Sequence, residues 1–164
     1  MKNLWKLLFV IPLVICLSTD ALSQETHGKF GVGLVFGEPT GFAWKYRLDD
    51  VNAVDGAIGI APYDRFRMHV DYLWMAHPFD ERRLMLHYGP GLAIGGGNSY
   101  YYLTDHGYFL HSEELGFGVR ADVGLDYQIK QTPLELFLDV APLFIVAPGP
   151  GTGLDLGFGG RFYF

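Results

Sequence analysis

The last twelve residues of the chain alternate between apolar side chains and small, charged or aromatic polar ones. Leucine or phenylalanine occupies positions 154, 156, 158, 162 and 164, while Asp155 and Arg161 belong to the other set. Successive side chains of a β-strand point to opposite faces, so this segment is predicted to be a strand with one apolar face. The apolar set reaches the terminal Phe164, as expected for a strand whose outward face lies in lipid and which pairs with the first strand to close a barrel.

Seven earlier segments show the same period of two. The predicted strands are Phe30–Phe36, Gly41–Leu48, Ala53–Ala61, Arg65–Ala76, Leu84–Gly95, Glu114–Ile129, Leu134–Val146 and Gly153–Phe164. Alternation over a dozen residues excludes helices, and each of the many glycines would cost a helix about 1 kcal/mol. The 164 residues fit one domain. We therefore predict an all-β fold, an eight-stranded antiparallel up-and-down transmembrane β-barrel.

The composition of the non-apolar faces indicates which side of the barrel is inside. If the apolar faces pointed inward, the chain would be a soluble lipocalin-like barrel with a ligand cavity. Its other faces would then meet water and be rich in lysine, glutamate, serine and threonine, whereas they consist of glycine and alanine with scattered charges of both signs. We therefore expect the apolar faces to contact lipid, with several aromatic residues forming an interfacial girdle.

The inward faces then carry fourteen charged or histidine side chains, which form a predicted structural network. They are Lys45, Arg47, Asp55, Arg67, His69, Asp71, His87, Arg120, Asp122, Asp126, Glu135, Asp139, Asp155 and Arg161. Unpaired buried charges are costly, so these groups are expected to pair across the lumen. Side chains just fill an eight-stranded barrel, which predicts a plugged interior and not a pore.

The first 23 residues resemble a secretory signal peptide. Lys2 and Lys6 precede an apolar run of eleven residues, 7–17, and small residues at positions 21 and 23 predict cleavage before Gln24. An anchor helix is disfavoured by the shortness of the run and by Pro12. The predicted organisation is a signal peptide at 1–23 and an outer-membrane barrel at 24–164.

Charge and cysteine content exclude some classes of function. Cleavage would remove Lys2, Lys6 and Asp20, leaving ten basic and seventeen acidic residues and a net charge of −7. Such an acidic chain is not expected to bind nucleic acid, which requires a basic face. The single cysteine, Cys16, lies in the signal peptide, and the large Ile15 before it disfavours lipid modification, so the mature chain has no disulfide or thiol chemistry.

The lengths of the connectors support the barrel. Outer-membrane barrels have short periplasmic turns and longer external loops. With both ends of the barrel in the periplasm, the longest connector, Gly96–Glu113, follows an odd-numbered strand and is external. The connector His77–Arg83 is longer than such turns usually are and fits the scheme less well.

The long connector holds the residues most relevant to chemistry. Ser99, Asp105, His106, His111 and Ser112 include the ingredients of a hydrolytic triad, and an outer-membrane lipid acylase or deacylase is the alternative function. These residues are also common in polar loops, and the histidines lack the spacing of a metal site, so we predict no catalytic residues, metal or cofactor.

A tyrosine cluster lies in the same connector. Its members are Tyr100, Tyr101, Tyr102 and Tyr108. Tyrosine combines contact area with a polar group, so the cluster is a candidate external recognition surface. It could equally complete the outer aromatic girdle, and the sequence leaves both interpretations open.

In architecture the chain resembles the small eight-stranded outer-membrane barrels of the OmpA/OmpX type. More narrowly, the stretch Gly31–Gly41, the Trp-Lys-Tyr at 44–46 and the Asp-Tyr-Leu-Trp at 71–74 are similar to a little-characterised family of such barrels first noticed in spirochaetes. The resemblance spans nearly the whole mature chain. It implies a bacterial outer-membrane protein, with host-factor binding in some members and no catalytic residues, and it implies that Phe164 is the signal read by the outer-membrane assembly machinery.

The predicted function is structural or interaction-based. We expect a monomeric, non-enzymatic barrel, porin-like in fold, that contacts outer-membrane lipid and the assembly machinery. Its external loops would face any extracellular ligand or host protein, whose identity the sequence does not indicate.

Overall fold

The computed structural model describes residues 28–61, 65–81, 83–96 and 115–164. Eight strands follow one another around a closed barrel, which confirms the predicted fold class. They are β1 (Phe30–Gly37), β2 (Thr40–Arg47), β3 (Asn52–Ala61), β4 (Arg65–Ala76), β5 (Leu84–Gly96), β6 (Leu115–Gln128), β7 (Leu134–Ala147) and β8 (Gly151–Tyr163). The predicted strand bounds lie within two residues of these. The predicted signal peptide and the tyrosine cluster lie outside the described residues.

Closure of the barrel depends on the pairing of β8 with β1. The two strands run antiparallel from the Gly31–Tyr163 pair to the Gly37–Gly157 pair. Beyond this ladder, the amide of Phe164 donates a hydrogen bond to the carbonyl of Phe30 at 3.0 Å. Every strand thus pairs on both sides, which leaves no open sheet edge among the described strands.

The strand ends define two different ends of the barrel. At the end where β1 begins and β8 finishes, the connectors span residues 48–51, 77–83 and 129–133. At the opposite end they span residues 38–39, 62–64, 97–114 and 148–150. We call these the turn end and the loop end. Three of the four connectors at the loop end have only two or three residues, so most of the connecting chain there belongs to residues 97–114.

Outward and inward side chains alternate as the pleat requires. Along β6, exposed positions such as Phe117 and Val119 alternate with buried positions such as Gly118 and Arg120. The outward set of all eight strands is dominated by large apolar residues, among them Leu138 at 52% and Phe158 at 58% exposure. Among the residues that the structure describes, no helix is long and apolar enough to cross a membrane.

Aromatic rings gather on the outer surface toward the turn end. The ring of Trp74 lies 5.5 Å from that of Tyr72 and 5.8 Å from that of Tyr88. The Tyr72 hydroxyl donates a hydrogen bond to Asn52 Oδ1 at 3.0 Å, where β3 begins. An apolar ring body with a polar tip is suited to the boundary between hydrocarbon and headgroups.

The lumen contains apolar as well as polar side chains. Three small apolar clusters are buried inside: Val35, Ala43, Ala57 and Phe137; Ala53, Leu73 and Met75, with Met85 against them; and Ala93, Leu143 and Ile145. The second cluster lies toward the turn end and the third toward the loop end. The charged residues therefore share the lumen with small apolar clusters.

The apolar exterior predicts how stability depends on depth in the bilayer. Ala121 faces outward, six residues from Leu115 at one end of β6 and six from Tyr127 near the other. Ala121→Arg is expected to destabilise the barrel by about 2–4 kcal/mol, because it puts a charge near the bilayer midplane. Leu115→Arg, the control at the strand end, is expected to cost about 0–1 kcal/mol. Denaturant unfolding in phospholipid vesicles measures both, and equal losses would contradict a lipid-facing band centred on Ala121.

Candidate functional site: the charged interior of the barrel

The structure places the predicted interior residues inside the barrel. Thirteen of the fourteen are buried. Arg47 is the exception: its side chain is 23% exposed and lies at the turn end, where it donates a hydrogen bond to Glu135 Oε2 at 2.9 Å. The strand pattern explains the placement, because each of these residues lies on the inward set of its strand. What the sequence could not indicate is which of them meet.

Arg161 organises the first group of charges. Its Nη2 donates a hydrogen bond to Asp55 Oδ2 at 2.8 Å, and its Nη1 lies 3.3 Å from Glu135 Oε1. The guanidinium also lies 3.7 Å above the ring centre of Phe137. The Tyr163 hydroxyl donates to the same Glu135 oxygen at 3.0 Å. A guanidinium stacked on a ring and bonded to two carboxylates is held in one orientation.

Lys45 connects this group to the next. Its Nζ donates a hydrogen bond to Asp126 Oδ2 at 2.5 Å and lies 3.8 Å from Glu135 Oε1. All three side chains are fully buried. Burial of a charge costs several kcal/mol before any compensation, so the lysine is tolerated here only because it lies between two carboxylates.

Arg120 organises a second group toward the loop end. It contacts three carboxylates: Asp71 at 3.1 Å, Asp122 at 3.1 Å and Asp155 at 3.3 Å. Arg67 lies 3.4 Å from the other oxygen of Asp155. Gly91 faces the Asp71 carboxylate across the ladder, and a Cβ at this position would overlap Asp71 Oδ1. The small residue therefore makes room for the carboxylate.

His87 lies among three carboxylates, and we call His87, Asp122, Asp126 and Asp139 the His87 cluster. Its Nδ1 is hydrogen-bonded to Asp126 Oδ2 at 2.8 Å. Its Nε2 lies 3.1 Å from Asp139 Oδ1 and 3.4 Å from Asp122 Oδ2, but neither contact has hydrogen-bond geometry. Gly124 makes space for the ring, since a Cβ there would overlap His87 Nε2.

The second interior histidine has a different environment. His69 Nε2 lies 3.7 Å from Asp71 Oδ2, beyond hydrogen-bond distance, and its Nδ1 has no hydrogen-bond partner among the described residues. A single carboxylate is near this ring, whereas three surround His87. The two histidines are therefore not equivalent.

Two carboxylates outside the strands stabilise turns. Asp49 accepts hydrogen bonds from the side chain of Asn52 and the amide of Val51, and these bonds lower the pKa of Asp49. Arg83 forms a paired contact with Glu81, with both N–O distances 2.9 Å, and lowers the pKa of Glu81 to about 2. Both carboxylates are ionised at neutral pH, so the contacts are present there and are lost as the pH falls toward these lowered values.

Sequence reasoning missed some members of the site and made predictions that fall outside it. Tyr163 and Phe137 contact Glu135 and Arg161, and their inward strand positions were the available signal. The loop residues Ser99, Asp105, His106, His111 and Ser112 and the tyrosine cluster lie outside the described residues. Phe164 is described: its side chain is 64% exposed and its ring contacts that of Phe162.

The fold is similar to that of solved outer-membrane barrels. The N-terminal β-barrel domain of Pseudomonas aeruginosa OprF matches with a TM-score of 0.58 and 14% identity, over 82% of this chain and 96% of that one. Neisserial surface protein A matches with a TM-score of 0.49 and 16% identity, over 84% of this chain and 98% of that one. Ail of Yersinia pestis matches with a TM-score of 0.38 and 13% identity, over 82% of this chain and 96% of that one. No family model and no curated protein matches the chain.

These likenesses concern the fold. The chain has the fold of the small eight-stranded outer-membrane β-barrel proteins. At this level of identity the likeness assigns no site and no activity, so any role must be argued from the surface and interior of this chain.

The charge pairing inside the barrel predicts a large loss of stability when one charged side chain is removed. Arg161→Met keeps most of the side-chain volume but leaves Asp55 without its guanidinium contact and removes one of the two guanidinium contacts of Glu135. We expect a loss of about 3–5 kcal/mol in unfolding free energy, the usual cost of breaking a buried pair. The control is Arg83→Met, which removes a solvent-exposed pair and is expected to have no measurable effect. Denaturant unfolding in detergent micelles compares them, and a fully stable Arg161→Met protein would refute this assignment.

Proposed function

We propose that this protein is a bacterial integral outer-membrane protein with a closed interior, acting through structure or surface contacts and not through transport or catalysis. The observation that carries the proposal is the distribution of side chains: a continuous apolar exterior around a lumen filled with paired charges. A monomer is part of the proposal, and it is supported by closure of the barrel, which leaves no strand edge among the described strands for pairing with a second copy.

The exterior argues against the soluble lipocalin-like alternative. A soluble barrel would bury its apolar faces inside and expose its charges to water. Among the described residues, thirty-two large hydrophobic side chains are exposed, while Lys45, His87 and Glu135 are fully buried. A surface of this kind is stable only against lipid or another apolar phase.

The interior argues against a channel. Arg161 and Arg120 each reach carboxylates on other strands, and their contacts cross the lumen. Apolar clusters fill further parts of the lumen beside these charges. Eight strands enclose only enough space for side chains, so no continuous water path is expected.

The surface available for recognition is concentrated in one segment. At the loop end, residues 38–39, 62–64 and 148–150 are too short to form large loops. Residues 97–114, with the tyrosine cluster, are therefore the proposed contact region for an extracellular ligand or host protein. The alternative of a lipid-modifying enzyme rests on residues of the same segment and has no support from the described part of the chain.

Membrane insertion and closure can be tested together. The protein is expected to fractionate with outer membranes and to change mobility on gels after boiling, because a folded barrel resists detergent at room temperature. In planar bilayers the purified protein is expected to give no steady large conductance. Recovery as a soluble periplasmic protein would overturn the membrane proposal, and a stable open channel would overturn the closed interior.

Phe164 is proposed to act in assembly and not in any activity. Its side chain faces outward beside Phe162, and its backbone makes only the last hydrogen bond of the β1–β8 seam. Deletion of Phe164 is expected to reduce insertion in cells while leaving refolding into detergent intact. Phe158→Ala, which removes another outward aromatic ring but keeps the terminus, is the control. Normal insertion of the deletion variant would contradict the proposal.

A further inference from the structure

The geometry points to a divalent transition-metal site in the lumen, formed by His87, Asp122 and Asp139 and suited to Zn²⁺. One potential ligand atom from each residue lies within 4.8 Å of the other two. Imidazole with carboxylates is a donor set that zinc accepts. The site is independent of the role proposed for the external segment.

The separations between the donors are close to those between the ligands of one metal ion. His87 Nε2 lies 3.1 Å and 3.4 Å from oxygens of Asp139 and Asp122. Ligands about 2.0–2.1 Å from a tetrahedral zinc lie about 3.3–3.4 Å from one another. Neither contact has hydrogen-bond geometry, so His87 Nε2 is not hydrogen-bonded to either carboxylate. A buried nitrogen that lies close to two carboxylates and is hydrogen-bonded to neither is available as a ligand.

The other side of the imidazole has the partner that metal-binding histidines have. His87 Nδ1 is hydrogen-bonded to Asp126 Oδ2 at 2.8 Å, and the same oxygen accepts from Lys45. A carboxylate on the distal nitrogen fixes the tautomer with the proton on Nδ1 and leaves the Nε2 lone pair available for the metal. Lys45 in turn holds this carboxylate in place.

The charge balance of the lumen is compatible with a bound cation at this position. The fourteen interior residues include seven carboxylates and five lysines or arginines, an excess of two negative charges with both histidines neutral. Within the described ranges, Asp139 is the interior carboxylate that has no lysine or arginine within ion-pair distance, and its ion-pair contact is with His87. A divalent ion at this point would neutralise the excess where it is located.

Water would supply the fourth ligand of such a site, and it can reach one of the three donor residues. The side chains of His87 and Asp122 are at most 1% exposed, whereas that of Asp139 retains 11%. A molecule the size of water can therefore touch Asp139. Sites with three protein ligands commonly complete their coordination with water.

Zn²⁺ binding to the full mature protein provides the test. Protein refolded in detergent and stripped with a chelator is titrated with Zn²⁺ by calorimetry, and one ion per chain is expected. His87→Gln and Asp139→Asn are each expected to weaken binding by at least about 100-fold, since even partners of the ligands commonly contribute 10–100-fold. X-ray absorption of the zinc-loaded protein should show one imidazole nitrogen and otherwise oxygen ligands.

Matched variants separate this site from other histidines. His69→Gln removes the other interior histidine, and the double variant His106→Gln/His111→Gln removes two from the long connector; both are expected to bind Zn²⁺ within about twofold of the parent. Heat-dependent gel mobility checks that each variant has folded. Absence of binding by the parent protein would overturn the site, leaving a protonated His87 as the compensating cation. Binding that survives His87→Gln and Asp139→Asn would overturn it as well.

Discussion

The pairing of every backbone amide and carbonyl within the protein is the constraint on which the rest of this structure depends. A strand exposed to hydrocarbon finds no hydrogen-bond partner in its surroundings, and each unpaired group costs several kcal/mol. The β1–β8 seam satisfies this constraint by joining the first strand to the last over seven residue pairs. Once the ladder closes, the pleat assigns each side chain either to lipid or to the lumen.

Closure of the barrel creates a second requirement, which concerns the charges in the interior. Residues on the inward faces are removed from water together, so their charges must compensate within a narrow space. Arg161 and Arg120 meet this requirement by contacting several carboxylates each, and glycines such as Gly91 and Gly124 leave room for the side chains opposite them. The His87 cluster is the place where compensation by lysine and arginine is incomplete. A cation bound there would complete the charge compensation and would connect three neighbouring strands.

Period-two alternation made the strands predictable, because lipid and lumen select opposite kinds of side chain at every step along them. It also assigned residues such as Asp55 and Arg161 to the inside. It could not pair them, since Asp55 lies 106 residues before Arg161 and their contact depends on the stagger of all the intervening strands. The environment of His87 depends on strand register as well: His87 lies opposite Gly124, and Gly124 lies opposite Asp139, on the neighbouring strands β5, β6 and β7. A contact across a lumen is a property of the closed cylinder, and no local pattern encodes it.

The β1–β8 seam has one more consequence. The described chain begins beside its last residue, because Gly28 approaches the carbonyl of Phe164 so closely that a Cβ would not fit. Every strand of the closed barrel has two neighbours, so no strand is structurally the first or the last. Several orders of the strands along the chain would therefore give the same barrel. A circularly permuted chain, joined at this seam and opened at another turn, would keep every ladder while moving the terminal aromatic residue elsewhere. The closure of the barrel and the position of Phe164 along the chain are therefore separable properties of one sequence.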